Sequence, residues 1–415
     1  MKKKSIEHAP LDYFPMINGR LQIAGKPLEQ VIKIIGQTPI YAYDRNLITE
    51  RVNYLRSILP NKIQLHYAMK ANPMPAVVQH LAGLVDGLDV ASQGEMLTAI
   101  NSGTKASEIS FAGPGKTDKE LTAAIAAEIV INVESTNELT RINIIGKTLG
   151  ITPNIALRVN PDFELKSSGM KMSGGAKQFG IDAEKLPPLL AQLSDYSINF
   201  IGFHIFSGSQ NLNSDSLIDA HNKTFALAYS LIQNLNIDFR FINIGGGFGI
   251  PYFPGDKALD LQPVGDNLQR LLDKYEPLFN NKGESKEIII ELGRYLVGEA
   301  GLYISQIIDK KESRGQNYLI TDGGLHHHLS NSGNFGQVIR KNYPIVISTQ
   351  KHTQETENVM IVGPLCTPLD IVANKMELPK AEINDYVIVL QSGAYGKTAS
   401  PESFLGHPSV TEILI

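Results

Sequence analysis

The residues that could carry chemistry stand where short apolar runs end. Lys70 closes the run KIQLHYAM, and a lysine near other cations or away from water can hold a carbonyl cofactor as a Schiff base. Taken alone, Lys70 could equally be a lysine that emerges at a strand end. ELGR places Glu291 three residues before Arg294, which suits a carboxylate that keeps a pyridine nitrogen protonated, although a surface ion pair has the same spacing.

Three further patterns carry weaker signals. GGGFG removes the side chains at Gly245, Gly246 and Gly247, so backbone N–H groups there could face a phosphate, although the dinucleotide fingerprint G-x-G-x-x-G is matched poorly. Cys366, the single cysteine, stands in GPLCTPLD, where a small apolar core residue is the alternative to a functional thiol. In a strand, His326–His328 would point to opposite faces, so we expect substrate contacts or a surface position and no metal site.

These residues need elements that bring them together. From residue 62 onward, apolar runs alternate with helical patterns, which is typical of parallel strands. The predicted strands are 62–70, 87–92, 108–113, 129–135, 154–161, 198–209, 239–249 and 286–294. Eight such units suit a (β/α)8 barrel over residues 40–295, and barrels place catalytic groups at the C-terminal ends of their strands. The residues predicted at those ends are Lys70, Asp89, Arg158, His204, Ser209, Gly245–Gly247, Glu291 and Arg294.

After residue 295 the pattern changes to strands without helices between them. We therefore predict a second domain, an antiparallel β domain built from residues 296–415 and 1–39. The segment TPIYAYD and the earlier INGRLQIAGKPL read as strands that could join it. Within the barrel, the Gly-, Ser- and Lys-rich loop 162–180 is long enough to predict a mobile flap over the site.

Composition narrows the class of function. The chain of 415 residues has a net charge of −4, so nothing in its charge argues for nucleic-acid binding. The basic N-terminus lacks the apolar stretch of a signal peptide, and no run reaches the ~18 apolar residues of a membrane span. One cysteine excludes an intramolecular disulfide, which fits a cytoplasmic enzyme.

Over nearly its whole length the chain resembles the fold-type III decarboxylases, the group of diaminopimelate and ornithine/arginine decarboxylases. The shared motifs, in chain order, are HYAMKAN, LDVAS, LRVNP, KQFG, GSQ, NIGGGFG, ELGR, GPLC and SGAYG. The resemblance implies an alanine-racemase-like barrel that binds pyridoxal 5′-phosphate, a C-terminal β domain, and a homodimer with shared active sites. It also implies that an amino acid loses its α-carboxylate through an external aldimine and a quinonoid.

The resemblance also implies roles for single residues. Lys70 would form the internal aldimine, Glu291 would pair with the pyridine nitrogen, and Cys366 would reach across the dimer to protonate the carbanion. Further cofactor contacts are implied for Asp89, Arg158, His204, Phe206, Ser209, Gly245, Gly246, Gly247, Gly293, Arg294 and Tyr395. Arg294, Thr367 and Tyr395 would also bind the substrate. HIFSGSQ carries Phe206 where the family often has a second histidine, so either Phe206 or His204 could stack on the cofactor ring.

The departures from the family pattern concern the substrate. Thr367 follows Cys366, where diaminopimelate decarboxylases carry Glu and ornithine decarboxylases carry Asp to hold the distal ammonium. A threonine cannot form that ion pair, and an unpaired buried ammonium is costly. The family's Arg-Pro-x-x-Tyr segment is also missing. The combination of HIFSGSQ, HHHLSNSGNFGQ, GPLCTPLD and GHP is most similar to a side branch found with exosortase systems or acting on conjugated or carrier-protein-bound amino acids.

Three other functions fit parts of the pattern. A diaminopimelate decarboxylase of lysine biosynthesis would use the same lysine and cysteine. A racemase on the same fold would also use Lys70, but alanine racemases lack the GPLC segment. A non-catalytic regulator related to ornithine decarboxylase would not need to retain both Lys70 and Cys366, which favours an enzyme.

Overall fold

A computed structural model of the chain describes residues 8–165, 169–233, 239–276, 286–335, 337, 340–349 and 355–415. The first residues of the N-terminus, where a signal peptide was sought, and residues 166–168 of the predicted flap lie outside the described residues. The chain divides into two compact units. The β unit contains residues 1–50, 251–257 and 296–415, and the barrel unit contains residues 51–250 and 258–295.

Eight parallel strands form the wall of the barrel unit, and the fourth pairs with the fifth so that the wall closes. In chain order they are β1 Ile63–Ala68, β2 Gly87–Val90, β3 Ile109–Phe111, β4 Val130–Val133, β5 Asn154–Asn160, β6 Asn199–Ile205, β7 Phe241–Gly246 and β8 Glu287–Leu292. The predicted barrel is confirmed, and each strand lies inside its predicted run.

A helix follows each of the first seven barrel strands, as predicted. These helices are α1 Pro75–Ala82, α2 Gln93–Asn101, α3 Asp118–Ala126, α4 Thr136–Leu149, α5 Leu186–Ala191, α6 Ser214–Ile232 and α7 Gln262–Lys274. Several begin at a polar cap: the side chains of Ser92, Ser135 and Asn213 each accept a backbone N–H from the first turn of their helix. Each cap fixes the residue at which its helix begins, and so limits the length of the loop between that helix and the preceding strand.

The β unit is built on an eight-stranded sheet. Its strands are Ile40–Tyr43, Gly301–Ser313, Gln316–Thr321, Ile345–Ser348, Thr356–Val362, Ile371–Pro379, Tyr386–Val389 and Thr411–Leu414. Most neighbours are antiparallel, as predicted, but two pairs run parallel: 317–320 with 359–362, and 411–414 with 40–43. Four further α-helices are described outside the seven barrel helices: Leu28–Ile35, Arg45–Ile58, Arg294–Val297 and Leu329–Ser332.

Two N-terminal segments contribute to the β unit in different ways. TPIYAYD supplies a strand of the main sheet, paired with Gly301–Ile304. INGRLQIAGKPL forms its own three-stranded sheet, Met16–Ile17, Arg20–Ile23 and Lys26–Pro27. Leu21 and Ile23 of this small sheet pack in the same core as Ile40 and Leu302. The sequence predicted that the barrel domain begins at residue 40. The strand that begins at this residue pairs with a strand of the β unit.

The described helices include none that is both long enough and apolar enough to cross a membrane.

Candidate active site

Lys70 lies in a one-turn 3-10 helix, Met69–Ala71, directly after β1. This turn is fixed at its far end, because the Tyr67 hydroxyl donates to the carbonyl of Asn72 at 2.8 Å. The Lys70 side chain is half-buried, and its Nζ lies 5.4 Å from the centre of the Phe206 ring. The lysine therefore stands at the C-terminal end of the barrel, beside the end of β6.

Glu291 and His204 form a buried pair at the ends of β8 and β6. His204 Nε2 and Glu291 Oε2 lie 2.9 Å apart, and both side chains are less than a tenth exposed. Burial by itself would raise the pKa of Glu291, but the His204 hydrogen bond and the charges of His204, Lys70 and Arg158 together hold it below its ordinary value. The site therefore keeps an anionic carboxylate inside the barrel.

Arg158 is held by a carboxylate that the sequence did not single out. Its Nη1 donates to Glu134 Oε1 at 2.8 Å, and its guanidinium lies 4.7 Å from the centre of the Phe179 ring. Glu134 also accepts the backbone N–H groups of Gly113 at 2.6 Å and Gly180 at 3.1 Å. Glu134 thus joins three barrel loops, including the KQFG end of the predicted flap. The flap's mobility stays a prediction.

A second buried ion pair stands beside the first. Lys116 Nζ donates to Glu138 Oε1 at 2.8 Å and to the carbonyls of Gly113 and Asn132 at 2.8 and 2.9 Å. Burial lowers the pKa of Lys116, and the charge of Glu138 opposes that shift. Lys116 lies in the loop that leads into α3, so its pattern in the sequence resembles an ordinary helix start.

Asp89 faces into the barrel and begins a polar chain across its interior. Its Oδ1 lies 3.4 Å from His66 Nδ1 and accepts a hydrogen bond from the Ser110 hydroxyl. The Ser110 hydroxyl in turn accepts from Asn132 Nδ2 at 3.2 Å. Burial disfavours charge on His66, but the charge and hydrogen bond of Asp89 outweigh it and raise the pKa of His66. Sequence reasoning missed His66 because it lies inside an apolar run.

The glycines of GGGFG are required by the close approach of neighbouring backbone. A Cβ at Gly245 would lie 2.9 Å from the Ile205 carbonyl oxygen, and one at Gly246 would lie 2.1 Å from the Glu291 carbonyl oxygen. Gly247 has φ +83°, and its Cβ would meet the Gly208 carbonyl at 2.7 Å. These contacts explain the glycines without a ligand, so the glycines alone do not identify a phosphate site.

Three other predicted cofactor residues lie at strand ends of the same barrel. The Ser209 hydroxyl, just past β6, is buried and has no hydrogen-bond partner among the described residues. Gly293 follows β8, and a Cβ there would lie 2.9 Å from the Ala68 carbonyl oxygen. Arg294 opens the short helix that follows. Ser209 is therefore a buried donor that a ligand could satisfy.

Cys366, Thr367 and Tyr395 belong to the β unit. Cys366 is exposed in this chain, so the alternative of a small apolar core residue does not fit. Thr367 is half-buried in the same loop. Tyr395 has φ +53°, and its carbonyl accepts the Ser330 hydroxyl at 2.8 Å. Their predicted roles toward cofactor and substrate stay predictions.

For His326–His328 the sequence predicted either substrate contacts or a surface position. The surface position is wrong, and the substrate contacts stay a prediction. The three side chains are buried and lie in a turn, not a strand. His327 Nε2 lies 2.8 Å from the Pro408 carbonyl oxygen, and His328 Nε2 lies 3.0 Å from the Ser392 hydroxyl. Among the described residues, no group of three or more His, Cys, Asp or Glu side chains could hold a metal ion. The histidines instead connect the segments SGAYG and GHP.

The donor set of the barrel fits pyridoxal phosphate. That cofactor needs an amine for its aldehyde, an anionic group for its ring nitrogen and donors for its phosphate. Lys70 offers the amine, and the buried ionised carboxylate of Glu291 suits a protonated pyridine nitrogen. The unsatisfied Ser209 hydroxyl suits a phosphate oxygen. All three stand at strand ends of one barrel.

Known proteins match this chain over most of its length. Residues 45–298 match the family model described as the pyridoxal binding domain of pyridoxal-dependent decarboxylases. L-glutamyl-[BtrI acyl-carrier protein] decarboxylase of Niallia circulans is 38% identical over 91% of this chain and 89% of its own. The 2-[(L-alanin-3-ylcarbamoyl)methyl]-2-hydroxybutanedioate decarboxylase of Staphylococcus aureus is 31% identical over 89% of this chain and 92% of its own.

A solved structure shows the same fold. Diaminopimelate decarboxylase from M. jannaschii, in complex with L-lysine, matches with a TM-score of 0.84 and 28% identity over 97% of this chain and 93% of its own. The family model and the relatives together show an amino-acid decarboxylase whose cofactor is pyridoxal phosphate. The chain belongs to the family of pyridoxal-dependent decarboxylases.

Proposed function

We propose that this enzyme decarboxylates an amino acid whose distal end is conjugated and carries no free ammonium, such as one held on an acyl-carrier protein. The observation that carries this proposal is the loop that bears Thr367. Thr367 offers only a hydroxyl, which accepts the Leu369 N–H at 3.4 Å. Asp370, the one carboxylate of the loop 363–370, is buried and accepts two backbone N–H groups instead. Neither side chain can pair with a distal ammonium.

Two relatives support a conjugated substrate. The Niallia circulans relative acts, by its name, on a glutamyl group on an acyl-carrier protein. The name of the Staphylococcus aureus relative describes an alanyl group joined through an amide to a hydroxylated polycarboxylate. In both names the part of the substrate beyond the amino acid is an acyl or amide conjugate, which a threonine accommodates without an ion pair.

We assign the cofactor contacts to the barrel residues. Lys70 would hold pyridoxal phosphate through its amine, and Glu291 would face the ring nitrogen. Ser209, Arg294 and the backbone at Gly245, Gly246, Gly247 and Gly293 would surround the phosphate. When bound, the cofactor supplies an electron sink for the bond that breaks as CO₂ leaves.

The other residues would act on protons and charge. Glu291, held anionic by His204, Lys70 and Arg158, keeps a proton on the group it faces. His204 is hydrogen-bonded to Glu291, and Phe206 lies beside Lys70. Asp89 and Arg158 would support these groups from the barrel wall. Cys366 would deliver the proton to the carbon that has lost CO₂, and Thr367 and Tyr395 would line the substrate.

We also propose a cytoplasmic homodimer in which each subunit's loop 363–370 completes the other's site. The exposed position of Cys366 in a single chain supports this arrangement, because a proton donor must be shielded from water where it acts. The acyl-carrier protein would then be a transient partner. Cross-linking through Cys366 and sedimentation of the holoenzyme test these points.

The substrate proposal is tested by CO₂ release from matched substrates. An L-glutamyl thioester formed through the side-chain carboxyl, on a carrier protein or on N-acetylcysteamine, keeps its α-carboxylate free and should turn over. Free diaminopimelate, lysine, ornithine and arginine should turn over at least about 10²-fold more slowly, because a buried ammonium would lack its partner. Rapid turnover of any of the free diamino acids would overturn the proposal.

A pair of variants sharpens this test. Thr367→Glu restores a carboxylate and should raise turnover of free diamino acids, whereas Thr367→Gln has the same size and no charge and should not. If the two variants behaved alike, charge at this position would not select the substrate.

Diaminopimelate decarboxylase activity is the second candidate, because the M. jannaschii enzyme shares the fold over 97% of this chain. A racemase would interconvert enantiomers without releasing CO₂, and a non-catalytic regulator would do neither. The same CO₂ and enantiomer assays separate these outcomes.

A further inference from the structure

The loop 363–370 is closed on itself by its own backbone. The Gly363 N–H donates to the Asp370 carbonyl at 3.1 Å, and the Thr367 N–H donates to the Leu365 carbonyl at 2.8 Å. The Asp370 N–H returns to the Thr367 carbonyl at 3.3 Å. Cys366 lies in the middle of this compact turn and is exposed, while Leu365 beside it is buried.

The side chain of Asp370 lies inside the turn it ends. Only 2% of the residue is exposed. Oδ2 accepts the Leu365 N–H at 2.8 Å, directly before Cys366, and Oδ1 accepts the Leu325 N–H at 2.6 Å. These two bonds tie the backbone directly before Cys366 to the backbone of Leu325.

Two glycines make room for this carboxylate. A Cβ at Gly324 would lie 2.2 Å from Asp370 Oδ1, and a Cβ at Gly363 would lie 2.4 Å from Asp370 Oδ2. Gly324 also starts the histidine turn, because its carbonyl accepts the N–H groups of His327 and His328, each at 3.0 Å. The carboxylate therefore ties the loop of Cys366 to the buried histidine turn.

We propose that Asp370 is a positioning residue that sets the place of Cys366 and Thr367 by bonding the backbone of Leu365, directly before Cys366, to that of Leu325 in the histidine turn. The proposal rests on the proposed roles of Cys366 and Thr367. Asp370 itself would not touch substrate or cofactor, because its carboxylate is buried and bonded to backbone. It acts by holding Leu365 and Leu325 at a fixed separation, so that the thiol and the threonine hydroxyl are presented in one geometry.

Asp370→Asn tests the proposal with little change of shape. An amide keeps one acceptor oxygen and turns its NH₂ group toward a backbone N–H, so one bond is lost and two donors face each other. Asp322→Asn is the matched control. Asp322 is a carboxylate of the same unit that also accepts a backbone N–H, from Gln306 at 2.9 Å, and a side-chain hydroxyl, from Thr38. It does not contact the loop of Cys366 by hydrogen bond.

The first measurement is the reaction rate of Cys366 in the holoenzyme with an aromatic disulfide that releases a coloured thiolate. Because the chain has a single cysteine, the signal comes from this residue alone. Asp370→Asn should change that rate by about fivefold or more, since loss of a buried acceptor bond frees the loop locally, while Asp322→Asn should stay within about twofold. Equal rates for the wild type and Asp370→Asn would overturn the proposal, as would an equal change in Asp322→Asn.

The second measurement is the ratio of CO₂ released to amine formed, with the glutamyl side-chain thioester as substrate and Cys366→Ala as the reference. If the proton did not reach the carbon that has lost CO₂, hydrolysis would release a carbonyl compound and the cofactor would keep the amino group, so CO₂ would exceed amine. Asp370→Asn should move the ratio toward that of Cys366→Ala, and a wild-type ratio would contradict the positioning role. If Cys366→Ala itself kept the wild-type ratio, the proton-donor role of Cys366 would fail, while the thiol reaction rate would still decide the role of Asp370. Should Asp370→Asn not fold, Asp370→Ser, which adds no bulk between Gly324 and Gly363, removes the carboxylate and is read in both assays.

Discussion

The ends of the barrel strands and the interior of the β unit treat buried ionisable groups in opposite ways. At the strand ends, each buried charge has a partner: Lys116 pairs with Glu138 and Arg158 pairs with Glu134, both at 2.8 Å. Away from those ends, burial lowers the pKa of His221 in α6 to about 4. In the β unit, burial drives the same kinds of group toward their neutral forms. It raises the pKa of Asp370 and lowers the pKa of His328 to about 3.

This contrast distinguishes the residues that take part in the reaction from those that hold the structure in place. A buried charge is tolerated only when a partner is built for it, and such partners concentrate where a reaction needs fixed charge. The barrel has those partners at the C-terminal ends of its strands, around Lys70 and Glu291. The β unit uses its buried polar groups as hydrogen-bond connectors, as His328 does with Ser392. We therefore expect barrel substitutions to affect reaction and charge, and β-unit substitutions to affect geometry.

The largest expected effect is that of Lys70→Ala. Turnover should fall by at least about 10³-fold, on the scale of losing an essential proton-transferring group, and the visible absorbance of lysine-bound pyridoxal phosphate should disappear. Both are read from a spectrum and a CO₂ assay of the purified protein. Lys62→Ala, at an exposed position just before β1, is the matched control and should keep both. A variant Lys70→Ala that retained the absorbance would show that another lysine holds the cofactor.

The next largest effect is expected from Glu134→Gln. The variant leaves the Arg158 guanidinium buried without its anionic partner, so the free energy of unfolding should fall by about 3–5 kcal/mol. Asp118→Asn removes one partner of the exposed Arg141 pair and should cost less than about 1 kcal/mol. Urea denaturation of the three proteins gives both values. Similar losses for the two variants would mean that the barrel does not depend on its buried charges.

Much of the barrel could be predicted from sequence, because its strands are local runs of apolar residues and its helices start at polar caps. The side chains that pair with the site residues could not be predicted from sequence. Glu134 and His66 are brought to Arg158 and Asp89 by strand register, with separations of 24 and 23 residues along the chain. No local pattern marks such a partner, although a charged or imidazole side chain within a buried strand could have been suspected as one.

The β unit was harder to predict, for a similar reason. The strand Ile371–Pro379 is hard to recognise in the sequence because its middle is polar and exposed, and Lys375 has φ +50° there. The two parallel pairs join strands that are distant in sequence, so the expectation of antiparallel neighbours could not reveal them. The burial of His326–His328 depends on contacts with residues 392 and 408, which a reading of the tripeptide alone does not include.

A smaller effect is expected when the stability of two histidine variants is measured as a function of pH, and this also tests the contrast. His328 is neutral when folded, so its contribution to stability is complete above the unfolded pKa near 6.5 and is lost as the pH falls toward its folded pKa of about 3. Between pH 6.5 and 5 that loss is about 2 kcal/mol, so His328→Asn should flatten the fall in stability over this range.

His66 should behave with the opposite sign. Its folded pKa is raised, so its contribution is complete below pH ~6.5 and is lost as the pH rises through the folded value. His66→Asn should therefore cost more stability at pH 6 than at pH 8. Urea denaturation across pH 5–8 measures both variants. Profiles of the same sign would break the contrast between the two units.

The smallest expected effect on stability is that of Cys366→Ala, because the thiol is exposed in the chain. The free energy of unfolding should change by less than about 0.5 kcal/mol, as for surface substitutions in general. The neighbouring Leu365→Ala should cost about 2–5 kcal/mol, since Leu365 is 6% exposed and its removal leaves a cavity. Urea denaturation of both variants measures the difference. A large loss for Cys366→Ala would mean that the thiol supports the β unit and would weaken the case that this position is kept for its proton.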